Sequence, residues 1–296
     1  MKIIVTGSLG NIGKPLTKEL IAKGHAVTVI STKAEKKNDI EALGAAAAIG
    51  NLVDVQFLTK TFASADAVYC MESALYSGRN FDLSYIEQLA RNYAQAIQQA
   101  GVKRVVNLSS IGAHTNKGNG ALDFYFDIEA IFKTLPSDVA ITFMRPVGFY
   151  GNLFSFIPAI KTQGVIASNY GADDKKPWVS PIDIASAIAE EITTPQVGRK
   201  APYVASDEIS CNDTARILGE AIGKPDLKWI IIPDEQVLKG LIAAGMNPQV
   251  AKGFVEMNAS THSGKLYEDY YLHRPALGKV KMKDFAQEFA TVYKQK

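Results

Sequence analysis

Along the first half of the chain the hydrophobic pattern switches repeatedly between two periods. Short apolar runs, β-branched in the first strand, predict strands at 2–6, 26–31, 45–49, 66–71, 103–109 and 139–145. Between them apolar residues recur at helical spacing, as Ile12, Leu16 and Leu20 do, and predict helices near 12–23, 54–63, 80–100 and 123–134. Strands of this buried type alternating with helices make a parallel sheet covered on both faces, which binds its ligands at the carboxyl ends of the strands. The expected fold is α/β, a doubly wound parallel sheet over residues 1–150.

After Arg145-Pro146 the alternation breaks, and Gly151–Gly171 reads as loop-rich. A smaller C-terminal α/β lobe is expected over 151–296, with a segment of about 180–206 returning to the first domain. Helices are predicted at 183–194, 233–244, 248–260 and 282–293, and a strand at 201–205. Ser210-x-x-Asp213 looks like a capping box that starts a helix ending at Gly223.

With 296 residues, 47% of them hydrophobic, the chain has material for a large core. The formal charge is +2, and the longest basic stretch is the short Lys33–Lys37, so neither nucleic acid nor an anionic membrane is expected as a partner. No apolar run approaches the ~20 residues of a membrane span. The N-terminus enters a strand without the pattern of a secretory leader, which makes the cytoplasm the expected location. Cys70 and Cys211 form no C-x-x-C, and the four histidines show no ligand spacing, so no metal is expected.

The candidate chemistry begins at Gly7-Ser8-Leu9-Gly10-Asn11-Ile12-Gly13, between the first strand and the first helix. Glycines there allow a tight turn, close approach of a pyrophosphate and close packing of helix on strand, while the helix N-terminus faces the anion. The spacing is G-x-x-G-x-x-G rather than G-x-G-x-x-G, but its place in a βαβ unit supports nucleotide binding. At the end of the second strand, where an acidic residue would hold the ribose 2′-hydroxyl of NAD, stand Ser31, Thr32 and Lys33. Two hydroxyls and an ammonium suit a 2′-phosphate, so NADP(H) is favoured over NAD(H).

Asn51-Leu52 follows the third strand, where the asparagine either meets the adenine amino group or serves as a turn residue after Gly50. The fifth strand ends at Ser109-Ser110, and Tyr125 comes shortly afterwards. A hydroxyl and a phenol converging on a carbonyl, one to polarise it and one to protonate it, would serve hydride transfer; Tyr125 and Ser109 are therefore the candidate catalytic pair. Tyr125 equally reads as a packed aromatic in Phe124-Tyr125-Phe126. Glu129 occupies the position four residues on, where a lysine would lower the phenol's pKa.

These motifs converge on a family. Thr6–Gly13, Val102–Val106 leading into Ser109-Ser110, and Thr142–Pro146 with Phe149 and Asn152 resemble the NmrA-like family, an atypical branch of the short-chain dehydrogenase/reductase superfamily. Pro177–Ala185 and Gly223-Lys224-Pro225 extend the resemblance along almost the whole chain. It implies a Rossmann domain that binds NAD(P)H through the glycine loop and a smaller lobe that closes a substrate cleft. Members similar in outline include quinone and dye reductases, plant reductases of phenolic ethers, and proteins that report a bound dinucleotide to a transcription factor. The superfamily's Tyr-x-x-x-Lys is missing: aligned on Glu129 and Arg145, its lysine falls at Tyr125 and its tyrosine at Ala121.

The expected function is NADPH-dependent reduction of a small planar acceptor, quinone-like or carbonyl, walled by Tyr125, Phe149, Tyr150, Phe154 and Trp178 beside Ser109. The alternative is a catalytically inert NADP(H) sensor acting on a regulatory protein partner; a homodimer fits either. Sugar-nucleotide epimerisation uses the same fold but needs the missing Tyr–Lys pair.

Overall fold

The computed structural model describes residues 1–72 and 82–295. In chain order the main sheet takes β1 (Lys2–Val5), β2 (Ala26–Ser31), β3 (Ala46–Ile49), β4 (Ala67–Cys70), β5 (Arg104–Leu108) and β6 (Ala140–Pro146). All are parallel and lie in the order β6-β5-β4-β1-β2-β3. The topology reverses direction between β4 and β1, and it is there that a doubly wound sheet opens its crevice. The six strands agree with the sequence reading to within a residue or two at each end.

The intervening helices are α1 (Gly13–Ala22), the short α2 (Lys37–Glu41), α3 (Val55–Phe62), α4 (Leu83–Ala100) and α5 (Phe124–Phe132). Local chemistry sets their ends. Asp54 caps α3 by accepting from the backbone N–H groups of Gln56 and Phe57, and Asp82 caps α4 by accepting from that of Tyr85. Gly101 closes α4 in the left-handed conformation, with φ 71°. The helix expected from residue 80 begins at Leu83; residues 80 and 81 lie outside the described residues.

Alternation along the strands builds two cores. Ile3, Val5, Val27 and Val29 point to one face and pack with Leu16 and Leu20 of α1. Ile4, Val68, Val105 and Phe143 point to the other and pack with Leu58, Leu89, Tyr93, Ile97 and Phe132.

Beyond β6 come β7 (Gly148–Phe149), α6 (Ile157–Gln163), β8 (Val165–Ser168), β9 (Lys175–Val179) and α7 (Pro181–Thr193). The stretch 151–171, read as loop-rich, therefore holds a helix and a strand. At seven and four residues both are too short to show a period, and their stops are the left-handed Gly164 and the turn that follows Ser168. Ile184 and Ile188 of α7 join the first core, as do Val179, Tyr203, Val204 and Ala205. Two short strands, β10 (Arg199–Lys200) and β11 (Tyr203–Val204), pair with β6 in parallel.

The chain ends with β12 (Asp207–Ser210), α8 (Cys211–Ala221), β13 (Lys228–Ile231), α9 (Asp234–Ala243), α10 (Pro248–His262), α11 (Glu268–Leu272) and α12 (Met282–Gln295). The expected cap of α8 is present: Ser210 Oγ accepts from the Asp213 N–H at 2.9 Å. A third core, with Tyr150, Leu153, Trp178, Leu218, Trp229, Phe285 and Phe289, holds this lobe together. No described helix is long and apolar enough to cross a membrane.

Candidate functional site

The glycine loop leaves β1 with Gly7 at φ 82° and Ser8 at φ 56°, a left-handed pair that turns the chain back toward β2. The Ser8 N–H donates to Ile30 O at 3.1 Å, and its hydroxyl donates to Ser31 Oγ at 3.1 Å. Gly13 is required by sterics, since a Cβ there would lie 2.1 Å from Ser8 O, whereas one on Gly10 would stand at an ordinary 3.4 Å from Gly7 O. Gly10 and Asn11 are exposed, Leu9 is half-buried against the first core, and Ile12 is buried within it. No side chain caps α1, and its first turn carries no acidic residue. That helix end suits an anion, because neither a carboxylate nor a capping hydroxyl competes for it.

The residues that follow β2 divide in role. Ser31 is 2% exposed and links the glycine loop to the turn, its Oγ accepting from Ser8 Oγ and from the Lys33 N–H. Thr32 and Lys33 are exposed beside it, and no carboxylate intervenes. At the end of β3 the Asn51 side chain accepts from the Val53 N–H at 3.1 Å, an Asx turn that leads into α3. Of the two roles left open for Asn51, the geometry displays the turn. Leu52 is buried in the second core, and its carbonyl accepts from Asn92 Nδ2.

Across the crevice lies a group the sequence reading passed over. Glu72 lies two residues beyond the end of β4 and is 8% exposed; both its carboxylate oxygens accept from Asn107 Nδ2 of β5, at 3.1 and 3.0 Å. Burial pushes its carboxyl up to about 7, against a smaller opposing effect of its own backbone and Asn107 hydrogen bonds. The preceding Met71 ties this strand end to the loop. Its N–H donates to Thr6 Oγ1 at 2.8 Å, and its side chain packs against Gly7. A rule available from sequence, to question every polar residue that ends a parallel strand, would have selected Glu72.

Below the ends of β5 and β6 sits a buried charge network. Glu129 of α5, fully buried, accepts from Ser109 Oγ at 2.7 Å and from Arg145 Nε and Nη2, both at 2.8 Å. Lys133 reaches its other side at 3.1 Å. Arg145 also approaches Asp269 of α11 at 3.6 Å, and Tyr203 donates to the same carboxylate at 2.5 Å. Burial works against the guanidinium, yet Glu129 holds its pKa above the ordinary value. The Ser109 hydroxyl donates its proton into this network, which ties the end of β5 to α5 and β6.

Tyr125 is half-buried at the start of α5, its ring centroid 4.2 Å from that of Phe124. It lies close enough to β4 to be felt by Tyr69, whose phenol is held well above its ordinary pKa by burial first, then by Glu72, Cys70 and Tyr125. Ala121 packs against the lobe: a Cβ on Gly253 of α10 would lie 3.2 Å from the Ala121 N atom.

Four of the five aromatics named for the acceptor wall pack in or against two cores. Tyr150 and Trp178, each 1% exposed, belong to the lobe's core, with Tyr150 donating to Val280 O. Phe154 stacks on Phe289 in the same core, and half-buried Phe149 packs against the first core. Tyr150, Phe154 and Trp178 join Trp229, Phe285 and Phe289 in filling the lobe's core. Cys70 and Cys211 are buried free thiols, and the described residues contain no group suited to hold a metal ion.

A parallel sheet in this order, with a glycine turn running from its first strand into an uncapped helix, defines a Rossmann-type α/β protein. The chain belongs to the NmrA-like family, whose model matches residues 1–287. It is 24% identical over 258 residues to an NAD(P)H azoreductase of Xenophilus azovorans, covering 87% of this chain and 86% of that protein. Its fold is similar to that of an Escherichia coli NADPH-dependent quinone oxidoreductase complexed with NADPH, with a TM-score of 0.82 and 20% identity over 97% of this chain and 99% of that one. It is also similar to a Citrobacter sp. triphenylmethane reductase complexed with NADP(H), with a TM-score of 0.77 and 20% identity, covering 98% and 100% of the two chains.

Proposed function

We propose that the protein is an NADPH-preferring reductase of a small planar acceptor such as a quinone or azo compound. The observation that carries this reading is the loop and its rim: α1 has no cap and no acid in its first turn, and Thr32 and Lys33 stand exposed beyond β2 where a carboxylate would select NAD. The relatives named above, an azoreductase, a quinone reductase and a dye reductase, support the choice of acceptor class.

In this reading Gly7–Ile12 cradle the pyrophosphate, the α1 N-terminus faces its charge, and Thr32 with Lys33 hold the 2′-phosphate. Ser31 braces the loop through Ser8. The reduced nicotinamide supplies a hydride when bound. Tyr125 and Phe149 flank the acceptor, Tyr125 as an orienting or stacking surface rather than as an acid, since Glu129 at the i+4 position is already spent on Arg145 and Ser109. A quinone can accept hydride and take its proton from water, so the missing Tyr–Lys pair does not stop it.

Steady-state oxidation of NADPH, followed by the absorbance of the reduced nicotinamide with a panel of quinones and azo dyes, tests the proposal. Turnover that is faster with NADPH than with NADH is expected. Binding of NADPH without turnover of any member of the panel would favour a sensor instead.

A further inference from the structure

Glu72 and Asn107 close the ends of β4 and β5, on the far side of the glycine loop from Ser31. A dinucleotide whose adenosine lies toward β2 and whose pyrophosphate lies over β1 carries its nicotinamide toward β4 and β5. The carboxyl is thus built into the half of the crevice where oxidation changes charge: a reduced nicotinamide ring is neutral, and an oxidised one is a cation.

The surroundings of Glu72 hold no fixed countercharge among the described residues. The titratable groups that interact with it are Tyr69 and Cys70 of β4 and Tyr93 of α4. Burial raises all three well above their ordinary values, so they are neutral at physiological pH. From β5 it meets the uncharged amide of Asn107, and from α5 the phenol of Tyr125 acts on its neighbour Tyr69. Among the described residues, Asn107 is the side chain that donates to the carboxylate, and Asn107 Oδ1 and Tyr69 Oη are buried without a hydrogen-bond partner. A buried carboxyl responds strongly to a charge that arrives beside it.

We propose that the Glu72–Asn107 pair is a proton site coupled to the oxidation state of the bound nicotinamide, neutral beside the reduced ring and ionised beside the oxidised one. The proposal rests on the dinucleotide-binding reading but not on any particular acceptor. With the cofactor bound, loss of hydride would leave a cationic ring, and the proton released by the Glu72 carboxyl would pass, directly or through solvent, to the reduced acceptor. The balance closes: the acceptor gains a hydride and a proton, the cofactor loses the hydride, and Glu72 regains a proton from water when reduced cofactor returns.

The test is the ratio of the Kd for NADPH to the Kd for NADP⁺, measured by calorimetry from pH 6 to pH 8 on the intact protein. The 2′-phosphate titrates in both forms and largely cancels from the ratio. Ionisation of Glu72 favours the cationic ring, so oxidised cofactor should gain on reduced cofactor by about tenfold as pH rises, the size expected for one charge pair in a partly solvated site. Glu72→Gln, which keeps an oxygen to accept from Asn107, should leave the ratio flat while still binding both forms. An equally steep ratio in Glu72→Gln, or a flat one in the wild-type protein, would overturn the proposal. Failure of the wild-type protein to bind either nucleotide would instead overturn the cofactor reading itself, and the coupling with it.

Discussion

Arg145 grips Glu129 through two hydrogen bonds of 2.8 Å, Nε to Oε1 and Nη2 to Oε2, in a fork that lies almost wholly out of solvent. The pair joins β6 to α5, Ser109 joins it to β5, and Asp269 extends it toward α11 of the lobe. A buried ion pair therefore ties β5, β6 and α5 to the lobe.

Removing one partner leaves the other charged and buried. Arg145→Met and Glu129→Gln should each lower unfolding free energy by about 3–5 kcal/mol in urea titrations. The double variant should recover a large part of that loss, because the two residues act as one unit. Additive losses would mean that the pair is not coupled.

The glycine loop separates fold from binding. Gly13→Ala forces a Cβ against Ser8 O, a backbone atom that cannot swing aside, so both stability and NADPH affinity should fall. At exposed Gly10, Gly10→Asp should leave the melting temperature within a few degrees of wild type but reduce NADPH affinity at least about a hundredfold, because it sets a negative charge where phosphate belongs. Calorimetric titration after thermal melting distinguishes the two effects.

Lys33 gives the most selective readout of cofactor preference. Lys33→Glu should weaken NADPH by about tenfold or more and leave NADH nearly unchanged, since the 2′-phosphate is the sole difference between the ligands. The effect should shrink as salt is raised. An equal loss for both nucleotides would show that Lys33 does not contact the phosphate.

Glu72 also makes stability depend on pH in a direction that can be worked out. Its folded carboxyl titrates near about 7 against an ordinary 4.5, so the stabilisation is complete below the unfolded value and is lost as pH rises through the folded one. A shift of that size corresponds to about 3 kcal/mol at most. Glu72→Gln, which cannot ionise, should therefore be more stable than wild type at pH 8 and close to it at pH 5, as measured by denaturant unfolding at each pH.

The sheet was legible because each of its six strands is a short, largely apolar run, and because Leu16 and Leu20 reveal the helix that follows the first. The caps at Asp54, Asp82 and Ser210 are local events within three residues of sequence, and that of α8 could be read directly. What escaped was long-range. Ser109, Glu129 and Arg145 lie 16 to 36 residues apart, and nothing in their spacing tells that they meet below the sheet rather than above it. The packing of the aromatics was illegible for a related reason: Tyr150 and Trp178 look the same in sequence whether they line a cleft or fill a small lobe, and Phe285 and Phe289, which join them in the core, lie far along the chain. Glu72 was overlooked because the reading of β4 ended with its apolar run.

The most direct test of the central claim is a single turnover: the protein saturated with NADPH is mixed without oxygen with a small quinone, and the loss of reduced-nicotinamide absorbance is followed in time. Rapid loss of one equivalent of NADPH, well above the rate in free solution and slowed in Gly10→Asp, is the result the account predicts. Bound NADPH that persists unchanged in the presence of quinones and azo compounds alike would contradict it and leave a protein that binds the dinucleotide without using it.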